Sequence, residues 1–111
     1  MIYHVCRRAE WHRAESAGIY TGSTQDQADG FIHFSAADQL VDSVAKHRGG
    51  QDGLVLLACD ERLLGDHLRW EVSRNGALFP HLYAPLPLTA IVSVQDLPLG
   101  TDGRHLFPPF M

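Results

Sequence analysis

The chain has 111 residues, 45% of them hydrophobic, with nine Lys plus Arg against thirteen Asp plus Glu and seven His, giving a formal charge of −4 with every histidine neutral. That length supports one small domain, residues 1–111, with a single real core, and the acidic balance, with Lys46 as the only lysine, argues against a DNA-binding protein that neutralises phosphates. Cys6 and Cys59 stand far apart inside apolar runs, which fits buried reduced thiols better than a disulfide framework or a metal spacing; with no basic leader and no apolar run near roughly 18 residues, no membrane span is expected and the cytoplasm is.

In chain order, Ile2 to Arg7 reads as a short strand and Ala9 to Ala17 as a helix, with Trp11 and Ala14 on one face and Gly18 as its stop. Tyr20 to Gly30 is polar and reads as a loop carrying one helical turn. Gly30-Phe-Ile-His-Phe-Ser35 reads as one strand with Phe31, His33 and Ser35 on one face. Ser35 is placed to cap the next helix with Asp38, and that helix runs to Arg48 with Ala37, Leu40, Val41 and Val44 as its buried stripe. Leu54 to Cys59, apolar throughout, reads as the central strand. Asp60 caps one helical turn, and Leu68 to Ser73 is a strand with Arg69, Glu71 and Ser73 on one face. Asn75-Gly76 signals a tight turn, so Ala77 to Tyr83 returns antiparallel, with Pro80 favouring an edge or a bulge. Ala90 to Val94 is the last strand, and residues 98–111 read as an irregular tail whose LFPPFM end has apolar surface to dock on the body or on a second copy. Helices early and strands crowded late give an α+β domain on a mixed, mainly antiparallel sheet.

Polar residues interrupt these apolar strands at His4, at His33 with Ser35, at Glu71 and at His81, whereas His12, His47, His67 and His105 fall on helix faces, loops or the tail. A glutamate inside LRWEVS suits either a solvent-facing ion pair or a desolvated carboxylate that stabilises developing positive charge. His4 and His33 suit either backbone-bonded structural histidines or ligand-gripping ones. A metal site of His4, His33, His81 and Glu71 would draw one ligand from each of several strands, with no His-x-His or His-x-x-x-His pair, so no metal is expected. If Asn75-Gly76 makes a strict two-residue hairpin, Glu71 lies opposite Pro80 and His81 shares a face with Trp70.

The segments YHV, GFIHFS, LRWE and FPHLYAPL, with Trp11 and Gln39 in the helices, resemble the bacterial domain-of-unknown-function family nine-five-two, over Ile2 to Leu97. That family is more distantly similar to the ADP-ribosyltransferase fold, a split β-sheet domain in which an early histidine, a middle aromatic or hydroxyl residue and a late glutamate surround NAD. The resemblance implies His4 at the early position, His33 or Ser35 at the middle one, and Glu71 as the catalytic glutamate, accepting the ribose 2′-hydroxyl's hydrogen bond and stabilising an oxocarbenium-like sugar. His81 would close the cleft or meet a phosphate. A nucleotide-binding domain without turnover and a small metal-dependent enzyme are the alternatives.

Overall fold

The apolar run Leu54–Cys59 forms a strand buried at every position, and the chain is built outward from it. The computed structural model describes residues 1–73 and 76–109. In order, the elements are β1 (Ile2–Arg7), α1 (Arg8–Ala17), β2 (Ile19–Tyr20), α2 (Thr24–Asp29), β3 (Ile32–His33), β4 (Ser35–Ala36), α3 (Ala37–Arg48), β5 (Leu54–Cys59), β6 (Leu68–Val72), β7 (Leu78–Leu82), β8 (Leu86–Pro87) and β9 (Ile91–Leu97), with 3-10 turns at Glu61–Leu63, Gly65–His67 and Leu88–Ala90. Among the described residues the strands form three sheets, in the orders β4-β1-β5-β9, β3-β7-β6 and β2-β8, and every described strand pairing is antiparallel. The fold is therefore α+β with antiparallel sheets and, among the described residues, three α-helices.

Alternation along β1 and β5 sends side chains to two cores. Ile2, Cys6, Val55, Leu57 and Cys59 pack with Trp11, Ala14, Tyr20, Phe34 and Leu82. Tyr3, Leu54, Leu56 and Ala58 pack on the other face with Leu40 and Val44 of α3 and with Leu97. The stripe expected on α3 needs correction: Ala37 and Val41 are exposed, and Ser43 is buried beside Leu40 and Val44. Its cap also differs, because Ser35 is engaged in pairing β4 with Tyr3. Ala36 is the capping position, Gln39 accepts its N–H at 3.0 Å, and the Gln39 amide donates onward to the Leu78 carbonyl at 2.7 Å.

Two further departures set up the site. GFIHFS is not one strand: the chain pairs with β7 at Ile32 and His33, then crosses at Phe34 into the other sheet, where Ser35 pairs with Tyr3. Phe34 N–H donates to the Pro80 carbonyl at 3.0 Å at that crossing. Pro80 thus sits in the middle strand of its sheet, at the point where β3 ends, instead of at an edge. The hairpin register is also one residue away from a strict two-residue loop, since Ser73 N–H donates to the Ala77 carbonyl at 2.8 Å and Glu71 lies opposite Phe79; Asn75 of the expected turn lies outside the described residues. The tail docks on the body, with Phe107 against the second core and His105 Nε2–H donating to the Gln51 carbonyl at 2.7 Å. No helix among the described residues is long and apolar enough to cross a membrane.

Candidate functional site

The site lies where the two larger sheets part. β4 covers only Ile2 and Tyr3 of β1, so the rest of that strand edge is open, and α2 and α3 flank it. The space between is a cleft of about 770 Å³, within the roughly 300–1,000 Å³ usual for small-molecule sites. His4, His33, Ser35 and His81 all line it. Glu71 does not; it sits on β6 behind His81.

α2 exists because Ser23 and Asp26 cap each other, Asp26 N–H donating to Ser23 Oγ at 3.2 Å and Ser23 N–H to Asp26 Oδ2 at 2.7 Å. The same carboxylate reaches β3. Its Oδ1 accepts the His33 backbone N–H at 3.1 Å and the His33 Nδ1–H, while His33 Nε2–H points at Asp29 Oδ2 at 3.0 Å. Burial pushes the Asp26 carboxyl up, but the His33 side-chain hydrogen bond and the backbone N–H donors of Ser23 and His33 oppose it, and the carboxyl comes down to about 2. The Asp26 hydrogen bond, opposed by partial burial and helped by both carboxylate charges, raises His33 above the usual 6.5. With an aspartate oxygen at each ring nitrogen, the protonated form of His33 is favoured over the neutral one.

His81 lies directly opposite His33 in the β3–β7 pairing, with ring centroids 5.8 Å apart. The one-residue shift in the hairpin puts His81 opposite Arg69, hence on the Glu71 face, not the Trp70 face that a strict two-residue turn would give. His81 Nδ1–H donates to Glu71 Oε1 at 2.8 Å and Tyr83 O–H donates to the same oxygen at 2.6 Å, which together hold the Glu71 carboxyl below its ordinary value. Phe31 stacks at 4.1 Å on His81, 4.5 Å from His33 and 5.2 Å from Tyr83, locking the rings. Two carboxylate–imidazole pairs, Asp26–His33 and Glu71–His81, thus stand side by side on one wall.

His4 is buried, and both of its ring nitrogens are engaged by protein: Nδ1–H donates to the His33 carbonyl and Nε2 accepts the Tyr20 hydroxyl, each at 2.6 Å. Burial lowers its pKa against the opposing pull of Asp26, which keeps it neutral and matches that tautomer. By contrast, Ser35 Oγ and His81 Nε2 have no partner among the described residues, and no buried polar side-chain atom there is left unsatisfied, so both atoms open to the cleft. No group of three or more His, Cys, Asp and Glu among the described residues is arranged to hold a metal ion. Asp26 was not anticipated from sequence; the available signal was the Ser23-x-x-Asp26 spacing ahead of Gly30.

A family described as "Protein of unknown function (DUF952)" matches residues 5–94, a span that includes His33, Ser35, Glu71 and His81. Among solved structures, an X-ray crystal structure of protein CC0527 from Caulobacter crescentus is 48% identical, with a TM-score of 0.91 over 95% of this chain and 92% of that one. The solution NMR structure of CC0527 is likewise 48% identical, with a TM-score of 0.82 over 93% of this chain and 89% of that one. No curated protein matches.

Proposed function

The chain belongs to this family of proteins of unknown function, and from its cleft we propose that it binds NAD or a related nucleotide. The observation that carries this is the convergence of unspent polar atoms: Ser35 Oγ and His81 Nε2 open into one nucleotide-sized cleft beside the aspartate-held His33 ring. Hydroxyl-rich ribose is recognised by such fixed donors and acceptors, and locked rings lose little entropy on binding. The more distant similarity of the family to the ADP-ribosyltransferase fold, implied by the sequence resemblance, favours NAD among nucleotides. Calorimetric titration with NAD, ADP-ribose and AMP tests the proposal. Binding of at least one at submillimolar concentration, weakened about tenfold by His81→Ala, is expected; no heat at millimolar ligand would overturn it.

A second reading, turnover of NAD by ADP-ribosyl transfer or hydrolysis, is favoured by one feature: the Glu71 carboxylate is held ionised by Tyr83 and His81 immediately behind the cleft wall. In that reading Glu71 leaves His81 to accept the ribose 2′-hydroxyl's hydrogen bond. Release of nicotinamide by the native protein and its loss in Glu71→Gln would establish it. Binding without release places the chain as a nucleotide-binding module.

A further inference from the structure

We infer that the cleft carries an anion subsite, formed by Arg7 and Arg48, for the phosphate or diphosphate of its ligand. The inference rests on the nucleotide reading for the remainder of the ligand, but its own ground is the charge balance of the walls. Three carboxylates line the cleft, Glu10, Asp26 and Asp29, and the protein uses all three. Glu10 accepts the backbone N–H of Arg7 at 2.7 Å and of Thr24 at 3.3 Å. Asp26 is taken by Ser23 and His33, and Asp29 by His33 Nε2–H at 3.0 Å and by the Gln25 amide at 3.1 Å to each oxygen.

The cations are not matched in return. Arg7 and Arg48 line the same cleft, and neither has a carboxylate within 4.0 Å among the described residues. Outside the cleft, Arg8 and Arg62 find carboxylates, Asp96 at 2.8 Å and Asp60 at 2.9 Å, while Arg13, Arg69 and Arg104 have none within 4.0 Å among the described residues; what sets Arg7 and Arg48 apart is their place in the cleft wall. Arg48 is half-buried and reaches only two neutral oxygens, the Val5 carbonyl at 3.5 Å and Gln51 Oε1 at 3.4 Å, the long end of the hydrogen-bond range. Most of its five donors are therefore free for a planar guanidinium to grip paired phosphate oxygens.

Placement gives the ligand a direction. The His33 carbonyl meets β1 at His4, whereas Arg48 meets it at Val5 and Arg7 closes the strand. Phosphate then lies further along β1, and ribose hydroxyls face His81 and Ser35. A phosphate supplies the missing counter-charge without disturbing the satisfied carboxylates.

Isothermal titration of the intact protein with inorganic pyrophosphate, NAD and nicotinamide riboside, before and after Arg48→Met and Arg7→Gln, tests this. Pyrophosphate is expected to bind and to compete with NAD, and NAD to bind at least about tenfold more tightly than the riboside at low salt. Arg48→Met should weaken pyrophosphate and NAD by about tenfold or more and leave the riboside within about twofold. Arg48→Lys, with the fold checked by circular dichroism, should recover part of the loss because it restores the charge without the fork. If NAD and the riboside bind equally, or pyrophosphate binding ignores both arginines, the anion subsite is overturned while the nucleoside reading stands. Pyrophosphate binding without NAD binding would overturn the nucleotide reading and keep the subsite, and no binding of any of the three would overturn both.

Discussion

Asp26→Asn isolates the group on which the site is hung. Asp26 is 3% exposed, its Oδ2 takes Ser23 N–H, and its Oδ1 takes both the backbone N–H and the Nδ1–H of His33. An asparagine keeps the shape but has one acceptor oxygen, so its NH2 group must face at least one of these donors. The carboxyl falls from an ordinary 3.8 to about 2 in the folded protein, which corresponds to about 2 kcal/mol of stability. A folded pKa below the unfolded one contributes stability that is present above about pH 4 and drains as the pH falls toward 2. His33 has the opposite sign: raised first by the Asp26 hydrogen bond, it contributes fully below 6.5 and loses that contribution as the pH rises through its folded value. Both shifts describe one ion pair, so the energy counts once. Urea unfolding of native protein and variant from pH 2 to 8 should show a difference of about 2 kcal/mol near pH 5.5 that narrows at both ends, most at the acid end. A difference under about 0.5 kcal/mol, or one independent of pH, would refute the ion-pair account.

Other outcomes follow from neighbouring contacts. Tyr20→Phe removes the hydroxyl that His4 Nε2 accepts in a buried setting and should cost about 1–3 kcal/mol in urea unfolding; an unchanged midpoint would show that the ring has another partner. Gly22 holds φ +99°, and an added Cβ would lie 2.8 Å from Asp26 Cβ; Gly22→Ala should therefore destabilise by more than about 1 kcal/mol, whereas full retention of stability would contradict the strain. Burial pushes the thiols of Cys6 and Cys59 up to about 12, so a thiol reagent at pH 8 should react slowly with the native protein and rapidly in urea. Fast native labelling would contradict their burial.

Composition and apolar patterning made the α+β class, the central strand Leu54–Cys59 and the strand placement of His4, His33, Glu71 and His81 legible. What they missed is tertiary in origin. Asp26 sits in a polar stretch whose six-residue helix has no apolar stripe, and it becomes buried only because His4 and His33 arrive from two different strands. Period-two alternation describes side-chain faces within one sheet, so GFIHFS could not reveal that its strand changes sheets at Phe34. The pairing of His81 with Glu71 turned on a single residue of hairpin register, which alternation leaves undetermined and loop geometry decides. Val41 satisfied the helical stripe, yet α3 turns Ser43 inward where it meets the cleft.

His33 and His81 line one cleft, and if it is the proposed nucleotide site both rings must sense the bound ligand. The most direct test is NMR of the 15N-labelled histidine rings during titration with NAD. The His81 and His33 ring signals should shift together and saturably while those of His12 and His67 stay in place. Saturable NAD binding that leaves His33 and His81 unmoved would contradict the proposed site.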